Sequence, residues 1–325
     1  MKAGKTESGN GHKKRHKSGE DKVFYMEGKK DIFQKKDEIR CIDHESTEYP
    51  QKLKQYPSMP KKLYVKGNLP QEDCITVAVV GARMCSPYGR IQAFRYAKAL
   101  SEAGIQVISG LAQGIDAEGQ SGALEGKTPT YAVLGSGPDV CYPSANKRLY
   151  QRILWENGGI ISEYPPGFAP RPYCFPARNR IISALSDAVL VVEAKERSGS
   201  LITAGYALDQ GKSVFAVPGA VCDELSRGCH KLIYDGAGIA YSPEIILEEL
   251  GICHKLEIKT EEKNKLGLAT DLNMVYSCLD LRPKNIDFIV RQTGLSAGDI
   301  SRCLVELSLM GLIRETGRHY YVKER

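Results

Sequence analysis

Two arginines, Arg178 and Arg180, flank an asparagine at the start of the stretch RNRIISALSDAVLVVEAKERSGSLITAGYAL. An apolar strand follows and ends on Glu193, and a Ser/Gly loop then opens into a helix. Guanidinium groups and the free N–H groups at a helix start both bind anions, phosphate in particular. Because a cation in the first helical turn opposes the helix dipole, the two arginines indicate an anionic partner.

The same combination recurs along the chain. Loops rich in Gly, Ser or Pro follow other predicted strands, with the sequences GARMCSPYG, SGLAQGID, GSGPDVCYPSANK and PGAV. Such loops expose backbone N–H groups, and each precedes the start of a predicted helix. The carboxyl ends of parallel strands lie at one edge of a sheet, so we expect these loops to form one crevice.

The candidate nucleic-acid-binding residues are the glycines, hydroxyls, cations and carboxylates of these loops. They are Gly81, Arg83, Ser109, Gly110, Gly114, Asp116, Gly135, Lys147, Arg178, Asn179, Arg180, Glu193, Ser198, Ser200 and Thr203. For Asp116 a structural cap is the better-supported interpretation. Glu193 is expected to orient one of the two arginines or to bind a ribose. Three aromatic residues are candidates either for base stacking or for the core: Tyr88, Tyr142 and Phe175.

Motifs for catalysis or for a bound cofactor are missing. The sequence has no GxGxxG and no P-loop, and no Ser–His–Asp arrangement or pair of close acids is apparent. The ten cysteines are scattered without a CxxC, and neither Cys229-His230 nor Cys253-His254 has zinc-type spacing. We therefore expect no metal, no cofactor and no catalysis, and reduced cysteines in a cytoplasmic protein.

The net charge of +6 is placed unevenly. Residues 1–40 hold twelve Lys or Arg against seven Asp or Glu, so the rest of the chain is almost neutral. A nearly neutral protein of this kind binds nucleic acid through a local basic pocket and not through the electrostatic field of the whole molecule. The basic tail either adds salt-sensitive attraction to nucleic acid or only keeps the chain in solution. A bilayer-spanning run and a signal peptide are both missing, so no membrane partner is expected.

The elements that must position the candidate residues begin at Ile75. Near-continuous apolar strands alternate with helices as far as Leu250, in six or seven βα units. This pattern predicts an α/β fold, Rossmann-like and doubly wound, with a mostly parallel sheet. The predicted organisation has five parts: residues 1–40 as a disordered basic tail, 41–74 as a lead-in segment that packs on the core, 75–250 as the Rossmann-like domain, 251–270 as a linker and 271–325 as a small winged-helix domain.

The winged-helix prediction rests on three helical stretches and a hairpin, LIRETGRHYYVKE. From Asp271 onward eight Lys or Arg stand against seven Asp or Glu. The recognition helix of the motif, GDISRCLVELSLMG, has one Arg, one Asp and one Glu. Since a helix that reads a DNA groove is normally more basic, a protein-contact or autoregulatory role is at least as well supported as DNA binding.

Several motifs together resemble the DprA/Smf family (DNA-processing protein A). They are VVGAR…SPYG, VISGLAQGID, FPARNRIISALSDAVLVVEA, SGSLITAGYALDQGKSVFAVPG and GCHKLI, within residues 49–250. The resemblance implies a Rossmann-like core that binds single-stranded DNA and dimerises. It also implies that the protein protects incoming strands during natural transformation and loads the RecA recombinase onto them.

Three family motifs map onto this sequence: GSR onto residues 81–83, SGxAxGID onto residues 109–116 and RNR onto residues 178–180. Three positions depart from the family pattern. Ala82 stands where the family has serine, Gly119-Gln120 stands where it has Ala-His, and His230 stands where it has asparagine.

One alternative function stays open at this point. The SGSLITA loop and Glu193 also resemble the nucleotide phosphoribohydrolases of the lysine-decarboxylase-like (LOG) group. Such an enzyme would hydrolyse nucleoside monophosphates with Glu193 and Arg180 on a single phosphate. The sharper PGGxGTxxE motif of that group is missing. Release of adenine from AMP distinguishes the two functions.

Overall fold

The computed structural model of the protein describes residues 38–252, 270–280 and 283–323. The predicted basic tail, except for residues 38–40, lies outside the described residues. So does the predicted linker, except at its two ends. No helix among the described residues is both long and apolar enough to cross a bilayer.

Twelve strands are described. They are β1 (Ile39–Asp43), β2 (Lys62–Gly67), β3 (Thr76–Val80), β4 (Gln106–Ser109), β5 (Thr130–Leu134), β6 (Gly159–Ser162), β7 (Ala188–Val191), β8 (Ser213–Ala216), β9 (Gly238–Ile239), β10 (Lys284–Asn285), β11 (Ile313–Gly317) and β12 (Tyr320–Lys323). The first nine form one sheet in the order β1-β2-β6-β5-β4-β3-β7-β8-β9. Pairing is antiparallel between β1 and β2 and between β2 and β6, and parallel in the rest of this sheet.

Helices connect these strands. They are α1 (Gln51–Lys54), α2 (Pro87–Glu102), α3 (Ile115–Ala123), α4 (Lys147–Trp155), α5 (Cys174–Leu185), α6 (Gly199–Asp209), α7 (Arg227–Tyr234), α8 (Pro243–Glu249), α9 (Thr270–Cys278), α10 (Ile286–Thr293) and α11 (Ala297–Leu309). A short 3-10 turn, Ser144–Asn146, precedes α4.

The central strands are buried on both faces. Every residue of β3, β4, β5 and β7 is buried. Because successive side chains on a strand point to opposite faces, Val77 and Val79 enter one core while Ala78 and Val80 enter the other. Two cores on two faces explain why these strands are apolar at every position, and they confirm the predicted doubly wound α/β fold.

The lead-in segment does more than pack against the sheet. Its strands β1 and β2 extend the sheet at one edge, which the sequence pattern did not predict. Only one residue of β1 is buried, as expected at a sheet edge, so its alternation is weak. The segment also supplies Tyr49, Leu53 and Leu63 to the main core. At the other edge, β9 pairs with β8.

The C-terminal unit is a winged helix, as predicted. Helices α9, α10 and α11 enclose an apolar core that includes Leu272, Ile289, Ile300 and Leu304. Strands β10, β12 and β11 form a three-stranded sheet in that order, and β11 and β12 are the predicted hairpin.

The strand order places the candidate site. From β3 the chain winds outward through β4, β5 and β6, and then returns to the other side of β3 as β7 and β8. This reversal leaves a crevice beyond the carboxyl end of β3, where open α/β sheets bind ligands. The loops after β3, β4 and β7 meet there.

Candidate nucleic-acid interface

A cleft of about 650 Å³ lies at this reversal point. The loops after β3 and β7, the first turn of α6 and one face of α5 form most of its wall. Helix α5 begins at Cys174, one turn earlier than predicted, so Arg178 and Arg180 do not lie in its first turn and the helix-dipole argument for them was wrong. The sequence-predicted residues that line it are Gly81, Arg83, Asp116, Arg178, Asn179, Ser198, Ser200 and Thr203. A small recess of the cleft adds Gly110, which lies beside Arg83 and Arg178.

Arg178 forms the floor of the cleft and is only 4% exposed. Its Nη1 donates hydrogen bonds to the carbonyl oxygen of Gly110, at 2.7 Å, and to that of Val133. Its buried Nε has no hydrogen-bond partner among the described residues. Burial lowers the pKa of Arg178 to about 10, so the guanidinium stays charged at neutral pH. A buried cation at the floor of the cleft attracts an anion that enters it.

Asp116 lies beside this arginine, and the two side chains hydrogen-bond to the backbone of the same residue, Gly110. Its Oδ2 accepts a hydrogen bond from the N–H of Gly110 at 3.1 Å, while the Gly110 carbonyl accepts from Arg178. Burial raises the pKa of Asp116, and the cation of Arg178 acts in the opposite direction. This pair fixes the β4–α3 loop (residues 110–114). Next to it, the Ser109 hydroxyl donates to the Val79 carbonyl at 2.6 Å.

Arg83 is exposed at the rim of the cleft. Its guanidinium lies 5.2 Å from the centroid of the Phe175 ring, a cation–π distance. Phe175 in turn contacts Tyr142, with the ring centroids 5.5 Å apart, and Tyr142 is 45% exposed. Arg83, Phe175 and Tyr142 therefore form a cationic and aromatic rim beside the buried Arg178.

Two of the predicted glycines are needed for close packing around this rim. Gly114 has φ +79°, and a Cβ there would meet the carbonyl oxygens of Ala82 and Arg83. At Gly81 a Cβ would lie 2.7 Å from a side-chain carbon of Ile115. Larger residues at either position would push the β3–α2 loop (residues 81–86), which carries Arg83, out of place.

The start of α6 forms the opposite wall. The Ser198 hydroxyl accepts from the N–H of Ser200 at 3.4 Å and lies 2.8 Å from the Ser200 hydroxyl. Asn179 of α5 donates to the carbonyl of Gly199 at 3.2 Å, which ties the two helices together. The positive end of the α6 dipole therefore faces the cleft, where an anion is stabilised. Thr203 lies one turn deeper and is buried.

Sequence reasoning missed two cations of the cleft, Lys195 and Arg197, and the exposed side chain of Met84. All three belong to Gly- or Ser-rich loops after strands, so their positions in the sequence were sufficient to predict them. Lys195 pairs with Glu224 at 2.8 Å. Arg197 is exposed and forms no ion pair within the described ranges. With Arg83 and Arg178, four cations line the described cleft against one carboxylate, that of Asp116.

The sequence matches two family models. Residues 40–251 match the family described as DNA recombination-mediator protein A, and residues 259–317 match the DprA winged helix domain. The chain belongs to the DprA/Smf family. It is 35% identical to protein Smf of Synechocystis over 309 residues, which cover 84% of this chain and 77% of that protein.

Two solved structures of DprA proteins are similar to this one. The X-ray structure of DprA from Streptococcus pneumoniae has a TM-score of 0.62 and 39% sequence identity, covering 70% of this chain and 80% of that chain. A structure of DprA from Helicobacter pylori, described for its single-stranded DNA binding mode, has a TM-score of 0.60 and 30% identity. It covers 66% of this chain and 96% of that one.

Besides Ser109 and Gly114, which lie next to the cleft, four sequence-predicted site residues of this DprA-family chain lie outside its lining. Arg180 pairs with Glu163 at 2.6 Å, and both side chains are largely buried. Lys147 is exposed at the start of α4. Gly135 packs against Phe175, where a Cβ would approach the ring to 3.1 Å.

Glu193 is the fourth, and its expected role must be corrected. The sequence predicts that it orients Arg178 or Arg180 or binds a ribose. Instead its carboxylate accepts hydrogen bonds from the backbone N–H of Ser86, at 2.8 Å, and from the Ser86 hydroxyl, at 2.5 Å. Ser86 is the N-cap of α2, so the carboxylate stabilises the start of that helix. Burial raises the pKa of Glu193. Neither this geometry nor the DprA family match favours the phosphoribohydrolase alternative.

Two of the residues that depart from the DprA motifs, Gln120 and His230, contact backbone carbonyl groups through their side chains. Ala82 is buried and brings no hydroxyl to the rim. Gln120 is fully buried in α3 and donates to the Tyr131 carbonyl at 2.9 Å. The ring Nε2 of His230 lies 3.2 Å from the Gly219 carbonyl.

Proposed function

We propose that the cleft binds single-stranded DNA largely without sequence preference. The observation that carries this proposal is the charge of its lining: four cations against one carboxylate, at the positive end of α6. Phosphate is the ligand that such a set of guanidinium, ammonium and backbone N–H groups prefers. The nearly neutral body of the protein directs this attraction to the cleft instead of spreading it over the surface.

The rim supplies the second requirement, a surface for unpaired bases. Tyr142 is half-exposed and rests on Phe175, which in turn contacts Arg83. Every base has a flat face, so stacking on such a ring tolerates any sequence. Bases of a duplex are already stacked on each other, and therefore a single strand is the preferred ligand.

Family membership and the ligand of the Helicobacter pylori relative support the same function. On this basis the protein is a non-enzymatic binder that acts in the cytoplasm as a homodimer. It protects single strands and helps load the RecA recombinase onto them during recombination and natural transformation. The residues assigned to the DNA are Arg83, Arg178, Lys195 and Arg197, with the hydroxyls and N–H groups at the start of α6.

An electrophoretic shift experiment tests this proposal. Labelled oligonucleotides of mixed sequence, single- and double-stranded, are titrated with the full chain across a salt series. Preferred binding of the single strand, with affinity that falls steeply as salt increases, is expected because bound phosphates release counterions. Equal affinity for both forms, or affinity that salt does not change, would overturn it.

A further inference from the structure

A second group of aromatic residues lies outside the cleft, in the β6–α5 loop (residues 163–173), which we call the aromatic loop. The rings of Tyr164 and Phe168 stack with their centroids 4.5 Å apart and their planes 11° apart. The guanidinium of Arg171 lies 5.3 Å from the Phe168 centroid and donates a hydrogen bond to the Tyr173 hydroxyl at 3.2 Å. Arg171 is exposed, and so is Tyr173, at 59%.

Several hydrogen bonds hold this loop in one shape. The N–H of Gly167 donates to the Asp139 carboxylate at 2.8 Å, and the N–H of Gly137 donates to the Phe168 carbonyl at 2.9 Å. At the other end, the N–H of Cys174 donates to the Arg171 carbonyl at 3.0 Å. A loop that is already ordered loses little entropy when it binds a ligand.

The aromatic loop leads directly into the cleft. Pro172, between Arg171 and Tyr173, lines the cleft, and Phe175 follows in the first turn of α5. The β5–α4 loop (residues 135–146), which anchors the aromatic loop through Asp139, also carries Tyr142 of the rim. A strand that leaves the cleft on this side would therefore pass over Arg171 and Tyr173.

The charges of the loop favour an anionic ligand. Glu163 is paired with Arg180, and the exposed Asp139 accepts hydrogen bonds from Gly167. Arg171 forms no ion pair with any residue in the part of the chain that the structure describes. Its guanidinium lies over Phe168, and the side chain is exposed to solvent.

We propose that the aromatic loop is a second subsite for the same single strand. An unpaired base would stack on the Tyr173 ring or on the outer face of Arg171, and the adjoining phosphate would accept hydrogen bonds from the guanidinium. This inference rests on the proposed function of the cleft. It adds that the bound strand extends beyond the cleft on the α5 side, so a longer oligonucleotide binds through more contacts than a short one.

The test compares fluorescence anisotropy of two oligothymidylates, of about six and about twenty nucleotides, on the full chain. Tyr173→Leu removes the ring, whereas Tyr173→Phe keeps it and loses only the hydroxyl. Arg171→Gln removes the charge, and Arg95→Gln, an exposed arginine of α2, is its matched control. We expect Tyr173→Leu and Arg171→Gln to weaken binding of the long oligonucleotide about tenfold. Tyr173→Phe and Arg95→Gln should bind both lengths like the wild type.

The affinity for the short oligonucleotide distinguishes the loss of a separate subsite from a general loss of DNA binding. The subsite requires that it stays within about twofold of the wild type in every loop variant, since the cleft alone holds it. If Tyr173→Leu binds the long oligonucleotide normally, or if both lengths lose affinity equally, a separate subsite is ruled out. If the cleft itself does not bind DNA, Arg83→Ala leaves the affinity for both lengths unchanged. This result is distinct from the absence of the second subsite. Thermal midpoints equal to that of the wild type show that the variants are folded.

Discussion

The guanidinium carbon of Arg83 lies 5.2 Å from the centre of the Phe175 ring. This contact joins the loop after β3 to the first turn of α5, so a cation and an aromatic face meet at one rim. The ring holds the guanidinium in position while its N–H groups remain open to a ligand. Because of its position and charge, a substitution of Arg83 is the most direct test of DNA binding in the cleft.

Arg83→Ala should weaken binding of single-stranded DNA about tenfold and reduce the slope of log affinity against log salt by about one, because one phosphate contact is lost. Anisotropy titrations at several salt concentrations measure both quantities. The stability of the fold should not change, since the side chain is exposed. Arg95→Ala, which removes an exposed arginine of α2, is the control and should match the wild type. An unchanged slope in Arg83→Ala would contradict the assignment.

Arg178→Met should destabilise the protein by about 3 kcal/mol, because it leaves the buried Asp116 without its neighbouring cation. It also leaves the carbonyl oxygens of Gly110 and Val133 without their donor. Urea unfolding gives the free-energy change. The double variant Arg178→Met/Asp116→Asn should be less destabilised than the sum of the two single variants, since the two charges interact. Additive values would show that the two side chains are independent.

Gly114→Ala should destabilise the protein by about 1–3 kcal/mol, because the backbone has φ +79° and the new methyl group would meet two carbonyl oxygens. Single-strand affinity should fall as well, since one of those carbonyls belongs to Arg83. Gly205→Ala, inside α6 and with open space at its Cβ, is the matched control. It should stabilise the protein by about 0.5–1 kcal/mol. Similar thermal midpoints for the two variants would disprove the steric argument.

Glu193→Gln should change how stability depends on pH. Burial raises the pKa of Glu193 in the folded state, so the folded protein binds a proton more tightly than the unfolded chain does. As pH rises from the unfolded pKa of about 4.3 through the raised folded pKa, the wild type loses this part of its stability. The glutamine variant has no such loss. Unfolding free energies at a series of pH values should therefore show the wild type's relative stability falling with pH, and a rise would refute the assigned shift.

Arg302→Ala should leave single-strand affinity within about twofold of the wild type, in contrast to Arg83→Ala. Arg302 lies on α11, the recognition helix of the winged helix, where it stands 3.5 Å from Asp299. The exposed residues of this helix include Val305 and Leu309, which are apolar and unsuited to phosphate. The same anisotropy titrations measure the effect. A large loss of affinity would show that the winged helix takes part in DNA binding.

The sequence alone determined the fold class and the family. Strands that are buried on both faces are apolar at every position, and this uniform pattern can be recognised without a structure. Turn glycines are equally visible, because Gly114 adopts a backbone conformation that other residues avoid. The position of Arg83 in a loop after a strand was sufficient to place it near the crevice.

Only the tertiary structure decided which partners the charged side chains have. Arg178 and Arg180 are two residues apart, yet successive helical residues point in different directions, and thus one enters the cleft while the other pairs with Glu163. Glu193 ends a strand beside the cleft but stabilises the start of α2. Hydrogen bonds and ion pairs depend on distances of a few ångströms between residues far apart in sequence. Local patterns do not contain that information.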